Sequence, residues 1–141
     1  MYDIIFVCTG NTCRSPMAEA MAKSMMPHLN FTSMGVAAFD GSPASENACK
    51  VMEDFGLNID SHKSKNIDTE LLENAKLVLT MTRSHLAFVK SFCMGANAFT
   101  LAEYAGEDRD IQDPFGGDYE AYHNCAKEME SLIATLTKFV E

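Results

Sequence analysis

The stretch that most limits what this chain can fold into runs from residue 2 to residue 26. Tyr2 to Cys8 is a short apolar run rich in Ile, Phe and Val, the turn TGNT follows at once, and RSPMAEAMAKSMM continues as a dense set of helix formers. Such a run reads as a buried strand entering a helix through a tight turn. Pro16 stands near the start of the helical segment, where a missing N–H is tolerated.

The rest of the chain keeps alternating. NFTSMG (residues 30–35) reads as a second strand. SPASENACKVMEDFG (42–56) reads as a helix with Ser42 as cap, Pro43 at its first position and Gly56 as terminator. DTELLENA (68–75) predicts a short helix, KLVLTMT (76–82) a strand, RSHLAFVKSF (83–92) a helix and ANAFTL (96–101) a fourth strand. Tyr119, Tyr122, Ala126, Met129, Ile133, Leu136 and Val140 then recur every three or four residues, one apolar stripe on a last helix that Asp118 caps. Strands alternating with helices imply an α/β protein whose parallel sheet is covered on both faces. With no repeat, low-complexity tract or linker, residues 1–141 are expected to form a single domain.

Charge narrows the partners. The net charge of −9 disfavours non-specific attraction to nucleic acid or an anionic membrane, so any anionic ligand must be held by local groups. No apolar run approaches the roughly 20 residues that span a bilayer, and no basic region precedes the first apolar run, so a cytoplasmic protein is expected. Five scattered cysteines without C-x2-C spacing and four dispersed histidines give no zinc pattern and no disulfide framework. Neither a metal nor another cofactor is expected.

In a parallel sheet, ligands bind beyond the carboxyl ends of strands, at strand-to-helix turns. Cys8 to Ser15 is such a turn. Thr9, Gly10, Asn11, Thr12 and Cys13 offer backbone N–H groups, and Gly10 and Asn11 tolerate the dihedrals that aim several of them inward. The helix that follows points its positive end at the same place, and Arg14 adds a planar fork for two oxygens of a tetrahedral oxyanion. There is no lysine or second glycine at Walker spacing, which disfavours a nucleotide. Cys8 at the base of this trap would be favoured as a thiolate by the same groups that hold the anion, with Ser15 donating a hydrogen bond to its sulfur. The chemistry implied is a phosphocysteine intermediate, formed and then hydrolysed.

A leaving group needs a proton, so a carboxyl group is expected elsewhere in the chain. In DRDIQDPFGGDYEAY, Asp113 is the best candidate, with Pro114 after it and a glycine pair ending the turn. Asp108 and Asp110 read as a solvated acidic loop. The structural alternative makes Cys8 an ordinary core residue and Arg14 part of a solvated helical turn.

VCTGNTCRSPMAE, combined with DPFGG ahead of the last helix, resembles the low-molecular-weight protein tyrosine phosphatases, and most of all their bacterial branch, which includes protein arginine phosphatases. The resemblance runs over essentially the whole chain, through GSPA, SHKS and VLTMTRSH. It implies a three-layer fold: a four-stranded parallel sheet with helices on both faces. It also implies that Cys8 is the nucleophile, that Arg14 binds the phosphoryl group, and that Asp113 acts first as general acid and then as base. Asn11 takes the strained loop position, supported by Ser33 and His62, and Phe39 and Phe115 form pocket walls. Two departures stand out. Met34 replaces a small residue after Ser33, and Phe115 and Gly116 stand where eukaryotic members carry a tyrosine pair. The implied partner is a phosphorylated protein, met by a monomer.

Substrate choice turns on Thr12. In the resembling family this position is commonly aliphatic in tyrosine phosphatases and threonine in the arginine-phosphatase subgroup. A hydroxyl suits a guanidinium N–H where a methyl group suits an aromatic ring. Phosphoarginine in proteins is the expected substrate, with phosphotyrosine as the alternative. Cys13, a second thiol beside a thiolate, suggests a redox-sensitive loop in which a Cys8–Cys13 disulfide shields the nucleophile. Arsenate reductase shares the fold but needs a further thiol pair, for which the chain offers Cys93, Cys49 and Cys125. A non-catalytic phosphate-binding module is the remaining alternative.

Overall fold

A computed structural model describes residues 1–140. The first strand, β1 (Ile4–Cys8), lies inside the sheet between β2 (Phe31–Gly35) and β3 (Leu77–Thr80), and β4 (Ala98–Thr100) forms the far edge. All three pairings are parallel, with Cys8 opposite Gly35 and Val7 opposite Thr80. Every residue of β1, β2 and β3 is buried. This is why these strands read as continuous apolar or small-residue runs rather than alternating ones.

Alternation survives in which core each side chain enters. Ile4, Phe6 and Cys8 pack with α1 (Arg14–Met25), α2 (Glu46–Asp54) and α6 (Tyr119–Leu136). Ile5 and Val7 face α3 (Thr69–Asn74) and α4 (Arg83–Phe92) through Leu72 and Val89. The three-layer arrangement of helices on both faces is as expected. Full burial of an Ile or Phe contributes roughly 1.5–3 kcal/mol, so the interior strand that carries Cys8 is also one of the best anchored.

Helix boundaries mostly follow the sequence signals. Thr82 caps α4, Asp68 caps α3 and Asp118 caps α6, each side chain accepting a backbone N–H of the first turn. Residues 42–56 differ: α2 begins at Glu46, capped by Ser45 Oγ, and neither Ser42 nor Pro43 belongs to it. Ser42 gives its backbone carbonyl to Ser64 N–H at 2.7 Å, and Ser45 N–H bonds the carbonyl of Thr12 at 2.9 Å, so tertiary bonds hold the segment extended. A short helix, α5 (Leu101–Tyr104), follows β4 directly, closed by a reciprocal capping box between Thr100 and Glu103. Tyr119 and Val140, two members of the apolar stripe, are not buried, and the face that packs is completed instead by Cys125 and Leu132.

Candidate active site

The turn after β1 is built around one unusual backbone position. Asn11 adopts φ 56, the only positive φ outside glycine among the described residues. Asparagine tolerates that region better than most residues, at a cost that must be met by local bonds. Its Nδ2 donates to Ser15 Oγ at 2.8 Å and to Ser33 Oγ at 2.9 Å, its Oδ1 accepts from Lys65 N–H at 3.0 Å, and its carbonyl lies 2.7 Å from His62 Nε2. Ser33 in turn donates to Glu19 Oε1 at 2.6 Å. Ser33 and His62 therefore both bond Asn11, and Glu19 extends the network in a way the spacing of the sequence did not suggest.

Space beneath the turn is equally constrained. Gly35 ends β2 under the loop, and a Cβ there would stand 2.5 Å from Thr9 O and 2.9 Å from Asn11 N. Neither distance is compatible with a side chain. Met34 packs on the opposite face of the sheet with Ile5, Val7 and Val89, so the large side chain following Ser33 fills that core.

Cys8, 2% exposed, has its Sγ 2.9 Å from Ser15 Oγ. Because Ser15 Oγ already accepts from Asn11, its own proton is free to point at the sulfur. The helix α1 starts with Cys13 as its cap residue, yet no side chain caps it and no acidic residue stands in its first turn. Its N-terminal N–H groups thus remain available to a ligand.

Arg14 is 3% exposed, donates Nη1–H to Ile111 O at 2.8 Å and places Nη2 3.5 Å from Asp113 Oδ2. Its Nε is buried without a partner among the described residues, a donor that an anion in the turn would satisfy. Cys8, Thr9, Gly10, Thr12, Cys13 and Arg14 share one cavity of about 210 Å³ with Asp113 and Phe115.

Phe115 lines this cavity and is 76% exposed. Phe39 does not. It is 84% exposed and absent from the lining; the described role of that residue is a backbone one, its carbonyl accepting from Ser64 Oγ. Asp110 also departs from the solvated-loop expectation, since it accepts from Arg83 N–H at 2.9 Å and pairs with Arg83 Nε at 3.2 Å, which holds its carboxyl below the usual range.

Three residues reach the turn from distant elements with nothing in the local sequence to tie them to it. Tyr122 OH lies 3.4 Å from Cys13 Sγ, and burial pushes its phenol up to about 12, so it stays protonated there. Ser45 Oγ lies 3.6 Å from the same sulfur. His85 Nε2 lies 2.8 Å from Thr9 Oγ1. Periodicity marks the helices that carry these side chains but not the strand end each helix crosses.

Residues 3–141 match the family described as low molecular weight phosphotyrosine protein phosphatase. The chain is 41% identical over 143 residues to a protein-arginine-phosphatase of Bacillus subtilis, covering 96% of this chain and 95% of that one. It is 37% identical over 131 residues to the low molecular weight protein-tyrosine-phosphatase PtpB of Staphylococcus epidermidis, covering 92% and 93%. Among solved structures, the arginine phosphatase YwlE, as a cysteine-to-serine mutant with a phosphorylated active-site serine, superposes with a TM-score of 0.92 at 40% identity, over 96% of this chain and 93% of that one. The strand order, the strained asparagine, the uncapped helix start and these likenesses agree: the chain belongs to the low molecular weight phosphotyrosine protein phosphatase family.

Proposed function

We propose that the protein hydrolyses phosphoarginine in proteins through a phosphocysteine intermediate. The observation that carries the substrate choice is Thr12, which lines the same cavity as Cys8, Arg14 and Asp113. A hydroxyl at that wall suits the N–H groups of a guanidinium. The naming of a 41% identical relative as a protein-arginine-phosphatase supports the same reading.

In the proposed cycle, the Cys8 thiolate attacks phosphorus while Arg14 and the N–H groups of the turn hold the equatorial oxygens. The P–N bond breaks and Asp113 gives its proton to the departing guanidine. Asp113 then takes a proton from water, the resulting hydroxide attacks the phosphocysteine, and the P–S bond breaks. Phosphate leaves, and the Ser15 hydroxyl steadies the returning thiolate. The protein is read as a single-domain cytoplasmic monomer that binds neither nucleic acid nor membrane; its net charge of −9 supports this, and no described helix is long and apolar enough to cross a membrane.

Phosphotyrosine is the second reading, favoured by the aromatic Phe115 at the cavity and by the name of the staphylococcal relative. Arsenate reduction is poorly served. Cys93 and Cys125 are buried, and burial pushes both thiols up, Cys125 to about 12. The loop disulfide remains part of the proposal: peroxide-inactivated protein should regain activity with added thiol, and equal recovery by Cys13→Ser would rule it out.

Matched phosphoarginine and phosphotyrosine peptides, with Cys8→Ser as control, test the substrate. A preference for phosphoarginine lost in the control is expected. Thr12→Ile should then move the ratio of the two kcat/KM values towards phosphotyrosine by about tenfold, the effect of one lost hydrogen bond. An unchanged ratio would remove Thr12 from the argument.

A further inference from the structure

His85 takes no part in the cycle above, yet it touches the anion loop. It is the third residue of α4, and Thr82 Oγ1 accepts its backbone N–H at 3.1 Å. Its ring is buried, Nε2 lies 2.8 Å from Thr9 Oγ1, and Nδ1 has no partner among the described residues. Thr9 Oγ1 also accepts from Arg14 Nη2 at 3.4 Å, and Thr9 lines the cavity of Cys8. One hydroxyl therefore joins α4, the turn and the arginine fork.

Counting protons decides how the three share it. A threonine hydroxyl has one proton and can accept two bonds, and Arg14 takes one of the accepting sites. Burial, then the nearby Arg14 charge, press the His85 imidazole down to about 4 against the opposing pull of Asp113 and Asp110, so it is neutral at ordinary pH. A neutral ring has a single N–H. If that proton sits on Nδ1, it is a buried donor with no acceptor, while Thr9 spends its own proton on Nε2. If it sits on Nε2, Thr9 accepts from both His85 and Arg14, and only a bare lone pair is left at Nδ1. Orphaned buried N–H groups are the rarer of the two defects. With both accepting sites filled, the Thr9 proton is left without a protein acceptor.

We propose that His85 is a positioning residue: it donates Nε2–H to Thr9 and so turns the Thr9 hydroxyl proton into the cavity, where it bonds a phosphoryl oxygen beside the Arg14 fork. The side chain that follows the nucleophile thereby joins the backbone N–H groups in reading the anion. The inference deepens the function proposed above and draws its biological meaning from it, but its physical content is phosphate recognition.

Titration calorimetry with inorganic phosphate tests it on the whole chain. Thr9→Val and His85→Leu should each weaken phosphate about tenfold, as expected for loss of a hydrogen bond to a charged acceptor. The double variant should be no weaker than Thr9→Val alone, because His85 acts only through that hydroxyl. His85→Gln, whose amide N–H extends towards the same oxygen, should recover most of the affinity. Additive losses in the double variant, or unchanged affinity in folded His85→Leu, overturn the inference. Should His85→Leu fail to fold, His85→Asn, whose shorter amide falls short of Thr9, replaces it in the cycle with the same expectations. Phosphate binding is read without turnover, so a wild type that hydrolyses no phosphopeptide defeats the proposed function while the His85 result still stands or falls by itself.

Discussion

From Cys8 to Ser15, every polar side chain has at least one hydrogen-bond partner inside the fold, and Cys8 and Arg14 are almost wholly buried. The loop that brings Asp113 is held differently. Its carboxylate side chain is 47% exposed, accepts the N–H of Phe115 two residues along, and meets Arg14 at 3.5 Å. The first region is prepared for an anion before any arrives, since its donors are fixed by β1, β2 and α1. The second leaves a carboxyl group in contact with water, which suits the proton transfers that the proposed cycle asks of it. A half-exposed ion pair of this kind contributes little to stability, so the fold does not depend on Asp113.

That contrast breaks most visibly in Asp113→Asn. The rate constant kcat should fall about 10²- to 10⁴-fold, the usual size of a general acid's contribution, while stability stays within about 0.5 kcal/mol of wild type. A variant that unfolds earlier in urea would mean the loop is a structural element after all. Asn11→Ala attacks the other region and should do the reverse. Loss of bonds to Ser15, Ser33 and Lys65, added to a positive φ unsuited to alanine, should cost about 3 kcal/mol in urea denaturation. A cost below about 1 kcal/mol would show that the turn is not held by this network.

The third test uses pH. His85 titrates near 6.5 when unfolded and at about 4 in the fold, so between those values the unfolded chain binds more protons and stability falls as pH falls. Going from about pH 6.5 towards about pH 4 should remove about 2 kcal/mol, and His85→Leu should flatten that slope in pH-dependent urea titrations. An unaltered slope in the variant would place the acid sensitivity in the carboxylates instead.

Local chemistry made much of this molecule legible. The strand-turn-helix at Cys8 is encoded within about twenty consecutive residues, and the cap at Asp118 announces itself by position. Ser42 misled because serine before proline is a helix-start signal, and only the bonds from Ser42 to Ser64 and from Ser45 to Thr12 show why the helix waits three residues. The short helix α5 was hidden by its own start. Thr100 ends β4 and caps α5 at once, so the apolar run absorbed the capping box of Thr100 and Glu103. His85, Tyr122 and Ser45 were not legible at all, because each meets the turn from 32 to 109 residues away in the chain. Phe39 shows the complementary limit: a neighbour in sequence to the loop's surroundings, it still turns out to solvent.

Gly35 carries a last consequence. The backbone of the anion loop rests so close above it that one added methyl group would collide with Thr9 O and Asn11 N. The depth of the cradle is therefore gauged by the strand next door, through an atom that is missing rather than one that is present. Raise that floor by a carbon, and the donors of the loop lose their common focus although none of them has been changed. Substitutions around the rim can vary what is recognised; the floor admits no such latitude.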